Sequence, residues 1–580
     1  GLDNLVYVVD WNDFGIDNQS ISSVVAGTPE SWFASYGWRT FGAEHGEDWT
    51  AVTGAVLEAA HGENPEQRPS AVWSKTRKGR GYYVYDNASH GKPHDANSDL
   101  FWRCRRDFAE KYGVEWDSFG EPPADAHEMR RQLAANLNIA LDVIRGHQPC
   151  LAYLADRLVE LGDSVPEEMP GAKVRGPANP FNDPELYDYE KYPAGMWAQP
   201  GEKQPNRAAL GRWGAYVNTW AKRKYGRPVF LACSADLADS TNISGFAKGF
   251  AGEPGYGVYE RHTNPDGTLL PQEITEFTNA GLTCGIASVN LSATPFEEWD
   301  GFMAACSTYG SFVYLKYGPM RLFSQTVQDS GIKLGKVLWV AGHSGPETAD
   351  DSRTHFGIFA PGVTQLFPRD AVVDLHPWEF NEVPVMIAAG LRSRAHIIAL
   401  HLTRPPVTIP DRHALGIPGH FAAARGAYVL RPYREGVPKA GCCIVQGTAS
   451  TANVVSLLPK LDELKLNVKI VAALSPQLFR WQPAEYRDLV IGPGDRFNST
   501  VITNRSRKLA GDWMFNPLAD EYAICSDWDD RWRTGGTLDE VIEEAHLSAD
   551  WILEGIMRFA GDREQRLYRL RNLLEAAERD

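Results

Sequence analysis

The sequence predicts an α/β fold built from three doubly wound units, each with a mainly parallel sheet. Short apolar runs rich in β-branched residues alternate along the chain with helical segments, which is the pattern of βαβ units. The length of 580 residues suits several domains, and 43% hydrophobic and 23% charged residues are ordinary for a globular protein. We expect α/β units at residues 1–161, 207–424 and 425–580, with an extended linker at 162–206.

The first predicted strand, residues 5–9, is an unbroken apolar run of the kind that is buried on both faces of a parallel sheet. It runs into Asp10, Asn12, Asp13 and Asp17. Oxygen ligands therefore gather just past the carboxyl end of a strand, where open α/β sheets bind ligands. The amide oxygen of Asn12 and a nearby main-chain carbonyl suit Mg²⁺ beside a phosphate. The alternative is an Asx-rich βα turn that binds no metal.

The rest of the first unit alternates helices with one further strand. Helices are predicted at residues 29–36, 49–60, 125–145 and 151–161, and a strand at 71–74 precedes the basic loop KTRKGRG at 75–81. Residues 162–206 then contain eight prolines and little periodicity. This composition predicts an extended linker that runs over the surface.

Two more α/β units follow the linker. The second starts with a helix from Arg207 and has predicted strands at residues 229–234, 337–341, 372–375 and 397–402. The third starts near Tyr428, has strands at 443–446 and 468–472, and is helical from Leu538 onward.

Composition narrows the possible functions. A net charge of −16 argues against nucleic acid as a partner, and no apolar run is long enough to cross a membrane. The eight cysteines form no CxxC motif or other framework, which favours a reducing, cytoplasmic setting. The chain opens at Gly1 almost directly into a strand that needs sheet neighbours, so we expect that a preceding segment is missing from it.

Two histidines follow the predicted strand at 337–341. His343 and His355 are twelve positions apart (355 − 343), with Asp351 and Thr354 between them. Two imidazoles and a carboxylate suit a polyhydroxylated substrate and can move protons near neutral pH. A polar surface loop is an equally good interpretation of this segment alone, and a zinc site is disfavoured because no third ligand lies at a suitable spacing.

Three other segments carry candidate side chains. SADLADS at residues 234–240 follows a strand, and QEITEF at 272–277 precedes the aromatic residues Phe296, Trp299 and Phe302. Aromatic side chains at a spacing of three more often belong to a helix face in the core. Arg404 follows the strand at 397–402, where it could hold a phosphate or pair with a carboxylate.

Together these segments resemble the transketolase family of thiamine diphosphate enzymes over nearly the whole chain. The resemblance implies the C-terminal part of a diphosphate-binding domain, a pyrimidine-binding domain and a transketolase C-terminal domain. It also implies thiamine diphosphate with Mg²⁺ (or Ca²⁺), a homodimer, and transfer of a two-carbon ketol unit to an aldose from a ketose that is expected to be phosphorylated. Each cofactor is then shared between the pyrimidine domain of one subunit and the diphosphate domain of the other.

The resemblance assigns cofactor contacts residue by residue. Asn12 and the carbonyl of Phe14 would bind the metal, and Ile16 would pack near the cofactor. His90, in SHGKP, would contact the diphosphate or the substrate, and Asp236 and Leu237 lie in the family's Ser-Ala-Asp-Leu-Ala segment.

The resemblance also suggests the catalytic carboxyl. Glu273 lies twenty-three positions before Phe296 (296 − 273), the family's separation between its catalytic Glu and the first cofactor-side aromatic, so we prefer Glu273 to Glu276. We expect Glu273 to be buried beside the pyrimidine ring, with its pKa raised in an apolar pocket formed by Phe296, Trp299 and Phe302. Trp299 would stack on the ring.

Substrate contacts are implied for six residues, namely Arg207, Ser240, His343, Asp351, His355 and Arg404. The two arginines would hold the sugar phosphate with Ser240 and His343, and Asp351 would bind a hydroxyl. His90, His343 and His355 are the candidates for proton transfer.

The departures from the family leave alternatives open. The Gly-Asp-Gly element of the diphosphate domain is absent from the sequence, so we expect it on a second polypeptide or on a part cut from this one. Another thiamine diphosphate reaction, such as 2-oxo acid decarboxylation or phosphoketolase-type cleavage, is the nearest alternative function. A non-catalytic scaffold or regulatory subunit is the alternative of another class.

Overall fold

A computed structural model describes residues 3–16, 18–91, 93–163, 178–235, 237–248, 257–355 and 357–579 of the chain. The chain divides into two compact units, Gly1–Glu167 and Glu168–Asp580. Each has mixed α/β structure, and the three larger sheets are built mainly of parallel strands. The predicted α/β class is therefore confirmed.

The first unit contains a three-stranded parallel sheet in the order β1–β3–β2, with Val6 opposite Ser70. Its elements are β1 (Val6–Trp11), α1 (Pro29–Ser35), β2 (Arg39–Ala43), α2 (Trp49–His61), β3 (Ser70–Lys75), α3 (Asp99–Tyr112), α4 (Ala126–Gly146) and α5 (Gln148–Asp163). Asp125 caps α4 as predicted, because its carboxylate accepts hydrogen bonds from the N–H groups of His127 and Glu128.

The prediction that β1 is buried on both faces is wrong. β1 lies at the edge of the described sheet, and the side chains of Tyr7 and Val8 are 53% and 62% exposed. Trp11, at the end of the strand, is buried against Trp32. The apolar run specifies a strand, but in the described residues no neighbouring layer covers the side chains in its middle.

Part of the predicted linker belongs to the second unit. Residues 164–177 lie outside the described residues. From 178 onward the chain forms short 3₁₀ helices, and Phe181, Leu186, Tyr192 and Met196 are buried in the core of that unit. Pro180 and Pro184 begin two of these helices. The aromatic and aliphatic side chains of the same segment provide the packing.

The second unit contains a six-stranded sheet in the order β6–β5–β7–β8–β10–β9, whose pairs are all parallel. The elements of this part are β4 (Lys203–Gln204), α6 (Asn206–Tyr225), β5 (Phe230–Ser234), α7 (Gly245–Lys248), β6 (Leu269–Leu270), α8 (Glu276–Ser288), β7 (Met303–Thr308), α9 (Tyr317–Asp329), β8 (Val337–Ala341), β9 (Val372–Leu375), α10 (Glu382–Arg392), β10 (Ile397–His401) and β11 (Val407–Thr408). Strand β4 pairs with β11 outside this sheet.

A five-stranded sheet in the order β12–β14–β13–β15–β16 completes the second unit, with β12 antiparallel to β14. Its elements are β12 (Ala427–Arg431), β13 (Gly441–Gln446), α11 (Thr448–Glu463), β14 (Val468–Ala473), α12 (Pro476–Arg480), α13 (Ala484–Val490), α14 (Pro493–Phe497), β15 (Ser499–Thr503), β16 (Ile524–Cys525), α15 (Leu538–Glu544), α16 (Ala549–Gly561) and α17 (Arg563–Arg579).

The five- and six-stranded sheets are joined by buried polar contacts. The N–H of His376, just after β9, donates to the carbonyl of Leu474, just after β14, at 2.8 Å. Trp378 Nε1 donates to the hydroxyl of Tyr428 on β12 at 2.9 Å. One continuous apolar core includes residues of both sheets.

Two observations bear on the expectations from composition. All eight cysteines are free thiols. Among the described helices, none combines the length and the apolar character that crossing a membrane requires.

Candidate functional site

Seven side chains meet at the carboxyl ends of strands β5, β7, β8 and β10, and we call them the polar cluster. Because parallel strands end at the same edge of a sheet, the segments that follow them converge there. Arg207 comes from the first turn of α6, and the other members follow the strand ends. The members are Arg207, Ser240, Tyr309, His343, Asp351, His355 and Arg404.

His343 is completely buried at the centre of the polar cluster. Its Nε2 lies 3.2 Å from Arg207 Nη1, and the ring of Tyr309 packs edge-on at 4.0 Å between centroids. Burial, and then the charge of Arg207, lower the pKa of His343 to about 3. The imidazole is therefore neutral at pH 7. Since a guanidinium can only donate, Nε2 accepts and Nδ1 carries the proton, and this Nδ1 has no hydrogen-bond partner among the described residues.

His355 pairs with a carboxylate on the open side of the cluster. Its Nδ1 lies 3.0 Å from Asp351 Oδ2, and both side chains are half-buried. The hydrogen bond from His355, together with the charge of Arg404, holds the pKa of Asp351 below its usual range despite partial burial. Tyr309 packs on the His355 ring at 4.7 Å, so this tyrosine contacts both histidines.

Two guanidinium groups approach the same space. Arg404 Nη1 lies 3.2 Å from Asp350 Oδ1 and 3.3 Å from Asp351 Oδ1, and Arg207 Nη1 donates to Ser240 Oγ at 3.4 Å. Burial, and then the charge of Arg404, lower the pKa of Arg207. Arg207 Nε is buried without a partner among the described residues. Two cations with unused donors form a site that an anion would stabilise.

The buried carboxyl near this site is Glu276 and not Glu273. Glu273 lies in the loop before α8 and is exposed, so the expectation that it is buried is wrong. Glu276 is the first residue of α8, is 6% exposed, and accepts a hydrogen bond from Thr308 Oγ1 at 2.9 Å. Thr308 ends β7 and precedes Tyr309, which places Glu276 beside the polar cluster.

The three predicted aromatic residues do not line that site. Phe296 is 69% exposed, Trp299 packs on Phe181 at 4.4 Å, and Phe302 lies under the guanidinium of Arg227. All three precede β7, whereas Glu276 contacts its last residue. The six residues of the strand separate the two places by about 20 Å. The equal spacing does not bring the residues together, because α8 and the chain after it carry Phe296 to the opposite end of β7 from Glu276.

Two aromatic residues at the carboxyl end of β7, beside the polar cluster, were not predicted from the sequence. Tyr309 and Phe312 follow the strand directly, and Phe312 also approaches the ring of His355. Between them, Gly310 donates its N–H to the carbonyl of His343 at 2.9 Å, and a Cβ at this glycine would collide with that oxygen. The available signal was the run MAACST, a strand of small residues that ends at an aromatic residue.

In the first unit, the segment after β1 forms a compact turn. Asn12 Oδ1 accepts from the N–H of Phe14 at 3.0 Å, and Asp13, at a φ of 66°, binds the N–H and hydroxyl of Ser22. The donor set suits a hard cation, since Asn12 Oδ1 keeps a second lone pair and the Phe14 carbonyl is nearby in sequence. These two residues thus fit Mg²⁺ as part of a ligand set. Ile16 is 69% exposed.

The basic loop after β3 lies beside that turn. Lys78 Nζ donates to the carbonyl of Gly15, and Lys75 Nζ lies 5.1 Å from the ring of Trp11. His90 is exposed at the end of a 3₁₀ helix. The side chains around Asn12 therefore offer cations for a diphosphate as well as oxygen atoms for a metal.

Two predicted cofactor contacts remain to be placed. Asp236 lies outside the described residues. Leu237 is exposed and has a φ of 50° in the turn after β5. Ser240, three residues later, is the member of this segment that the structure brings into the polar cluster.

Comparison with known proteins gives one match to a family model and several to solved structures. The model described as transketolase, thiamine diphosphate binding domain, matches residues 1–136. Comparison with curated protein sequences gives no match.

Three transketolase structures have a similar fold. The Campylobacter jejuni enzyme is 16% identical with a TM-score of 0.64, and the match covers 96% of this chain and 73% of that one. The Leishmania mexicana enzyme is 15% identical with a TM-score of 0.67, covering 97% and 72%. A Pichia stipitis transketolase in complex with sedoheptulose-7-phosphate is 18% identical with a TM-score of 0.65, covering 97% and 73%. At these identities the similarity establishes the fold.

Proposed function

Residues 1–136 match the thiamine diphosphate binding domain of the transketolase family, and the chain has the transketolase fold; from this premise we propose that it transfers a two-carbon ketol unit from a phosphorylated ketose to an aldose. The observation that carries the proposal is the polar cluster. It places two arginines, a neutral histidine and a histidine–carboxylate pair within one group of contacts, which is the chemistry that a sugar phosphate requires.

The arginines are proposed to bind the phosphate. Arg207 is half-buried, has an unpartnered buried Nε among the described residues and is repelled by Arg404. A dianion between the two guanidinium groups would accept from this Nε and offset the repulsion. Ser240 Oγ, within hydrogen-bond reach of Arg207, would add a neutral donor. One structural relative, the Pichia stipitis enzyme, was crystallised with a phosphorylated seven-carbon sugar, which is the substrate class proposed here.

The histidines are proposed to bind hydroxyl groups and to transfer protons. His343 Nδ1 is a neutral donor without a partner among the described residues, which suits a substrate hydroxyl or carbonyl oxygen. His355 is oriented by Asp351, and such a pair can take a proton from a hydroxyl and return it later in the reaction. Asp351 can also accept a hydrogen bond from a sugar hydroxyl. His90 stays a candidate substrate or diphosphate contact of the first unit.

Bound thiamine diphosphate would supply the electron sink that cleavage of a carbon–carbon bond next to a carbonyl requires. Glu276, rather than Glu273, is proposed to hydrogen-bond its pyrimidine ring, because Glu276 is the buried carboxyl of the segment QEITEF and accepts from Thr308 at the end of β7. Tyr309 and Phe312 would provide the aromatic wall. In the first unit, Asn12 and the carbonyl of Phe14 would hold Mg²⁺, or Ca²⁺, and the lysines after β3 would face the diphosphate.

The working assembly is proposed to contain two copies of this chain. It is also proposed to contain a polypeptide with the Gly-Asp-Gly element, either as a separate chain or as another part of the same one. The exposed apolar side chains of β1 support this second proposal, because parallel strands in α/β proteins normally have both faces covered. Sedimentation of the purified material, with intact mass measured for every component, tests both.

A donor comparison tests the reaction and the phosphate site together. Ketol transfer to an aldose is measured for a ketose phosphate and for the same ketose without phosphate, with thiamine diphosphate and Mg²⁺ present. Arg404→Ala should lower kcat/KM about 10- to 150-fold for the phosphorylated donor, the loss of charge-assisted hydrogen bonds worth about 1.5–3 kcal/mol, and leave the other donor nearly unchanged.

The matched control is Arg353→Ala. Arg353 is an exposed arginine of the loop that carries Asp351 and His355 and is not a member of the polar cluster, so its removal should change turnover of neither donor. Equal losses for both donors with Arg404→Ala would contradict the phosphate site. Turnover of a 2-oxo acid and of no ketose would favour the nearest alternative, a 2-oxo acid decarboxylation. Binding of the cofactor without turnover of any donor would favour a non-catalytic scaffold or regulatory subunit.

A further inference from the structure

A second group of chemically active side chains lies buried between the six-stranded and five-stranded sheets. Asp374 belongs to β9, His376 follows that strand, and His401 ends β10. His376 Nε2 lies 3.0 Å from Asp374 Oδ2, and His401 Nε2 lies 2.5 Å from Asp374 Oδ1. The imidazole rings are parallel within 6° at 4.6 Å between centroids. We call these three residues the Asp-His-His cluster.

We propose that the Asp-His-His cluster binds one divalent transition-metal ion, with Zn²⁺ as the ion that its ligand set suits best. Two imidazole nitrogens and a carboxylate oxygen, all within 4.8 Å of one another, form a three-ligand set of the type that leaves a fourth position for water. Bond lengths of about 2.0–2.1 Å in a tetrahedral site correspond to about 3.3 Å between ligand atoms. The two N–O separations of 2.5 and 3.0 Å would therefore lengthen slightly, and the widest pair of ligand atoms, within 4.8 Å, would close by up to about 1.5 Å.

The surroundings hold the three ligands in place. On its other side, His401 Nδ1 lies 3.4 Å from Ser344 Oγ, so an Nδ1–H would donate to this hydroxyl while Nε2 faces the metal. The main-chain N–H of Asp374 donates to Gln477 Oε1 at 3.0 Å, and that of His376 donates to Leu474. Metal-binding histidines are commonly oriented by such contacts.

The space beside the cluster favours a single ion. A cavity of about 10 Å³ is lined by Ser344, His376, His401, Thr403, Thr448 and Arg505, among others. This volume is close to the minimum for one water molecule. Ser344, His401 and Asp374 also have the order of a hydrolytic Ser-His-Asp triad, but a cavity of this size excludes an acyl substrate, whereas it accommodates the water of a metal site.

The local charges leave room for a cation. Arg505 is buried against the cavity and opposes a positive ion. The carboxyls of Asp374 and Glu347 can offset this positive charge. Glu347 is buried, and its Oε1 accepts from Asn504 Nδ2 at 2.8 Å, while its Oε2 has no partner among the described residues. Burial raises the pKa of Glu347 to about 7, so near that pH the cluster and its neighbours carry a formal charge between 0 and −1 before a metal binds.

Metal affinity tests the proposal without reference to activity. The whole protein is made metal-free with a chelator, and Zn²⁺ is titrated in competition with a chromophoric chelator, in the absence of thiamine diphosphate. We expect tight binding that Asp374→Asn and His401→Gln each weaken by at least about 100-fold and Ser344→Ala by about 10-fold. The matched control is His396→Asn, which removes a histidine just before the same strand and should bind Zn²⁺ like the unchanged protein.

Cobalt provides a measurement that needs no variant. Co²⁺ bound by two imidazoles and a carboxylate in a four-coordinate site absorbs visible light strongly, whereas Co²⁺ bound to oxygen ligands near Asn12 would be six-coordinate and nearly colourless. Intense visible absorption that added Zn²⁺ abolishes supports the proposal. Weak absorption, or Zn²⁺ affinity that the cluster variants leave unchanged, overturns it and identifies the cluster as a hydrogen-bonded structural network.

Discussion

The strands β1 and β10 are similar as sequences and opposite as structures. Both are short apolar runs that end in a polar residue of interest, yet Val8 of β1 is 62% exposed while every residue of β10 is buried. β10 lies between β8 and β9 and is covered on both faces, whereas β1 is an edge strand. An apolar run therefore predicts a strand, and its neighbours decide how much of it is buried.

The helices of the two units differ in the same way. Leu137 on α4 and Leu158 on α5 are 61% and 62% exposed, while nine of the eleven residues of α10 are buried. The buried side of α4 is instead polar, since Gln132 and Asn136 bond to Asn97 and to the N–H of Asp117. The first unit thus leaves apolar side chains of its strand and helices exposed at positions of the kind that the second unit buries.

The largest effect on activity is expected at two glutamates of one segment, of which Glu276 is buried and Glu273 is exposed. Glu276→Gln should lower kcat about 10²- to 10⁴-fold with the fold intact, because a buried proton-transferring or hydrogen-bonding carboxyl is lost. Glu273→Gln should leave kcat within a few-fold, since that side chain is exposed. Steady-state kinetics with circular dichroism of both variants provides the measurement. The opposite ranking would restore Glu273 and refute the assignment of the buried residue.

The stability of the two sheets gives the next test. Ile398 is completely buried in β10, so Ile398→Ala should lower the unfolding free energy by about 2–5 kcal/mol. Val8→Ala should change that free energy by no more than about 0.5 kcal/mol, as for other exposed positions. Urea denaturation of the purified chain measures both. A large loss with Val8→Ala would mean that another polypeptide already covers β1 in solution.

The sequence predicted much of the fold because most elements carry local signals. Asp125 caps α4, and β5, β8, β9 and β10 were found within a few residues of their observed ends. The α/β class is confirmed, the fold is similar to that of transketolase structures, and residues 1–136 match the family model of the thiamine diphosphate binding domain. What the sequence could not provide was burial, as β1 shows, or the packing of residues 178–206, where prolines suggested a linker but aromatic side chains fill the core.

In the candidate site, residues predicted from one motif lie together, whereas residues matched by a spacing across several elements do not. His343, Asp351 and His355 belong to one loop, so their separation survives folding, and Arg207, Ser240 and Arg404 join them at the strand ends. The segment from Glu273 to Phe296 includes a helix and a connection whose lengths vary. The same number of residues as in the family therefore does not fix where these two side chains lie. Tyr309 was missed because β7 was not predicted.

The smallest effect concerns pH and again separates the units. Burial, and then the charge of Arg412, lower the pKa of His420 in the second unit from 6.5 to about 4. The folded chain therefore binds fewer protons than the unfolded chain between these values, so the unfolding free energy falls as pH drops from 6.5 towards 4. This one group should account for up to about 2 kcal/mol between pH 7 and pH 5.

Replacing the group isolates its contribution. Urea denaturation at pH 7 and pH 5 should show a smaller loss of stability for His420→Gln than for the unchanged chain. Substitution of an exposed histidine of the first unit, His90→Gln, is the matched control and should keep the full loss. If His420→Gln loses as much stability between pH 7 and pH 5 as the control, then burial does not hold His420 neutral. In that case, the greater burial of the second unit does not lower the pKa of this histidine.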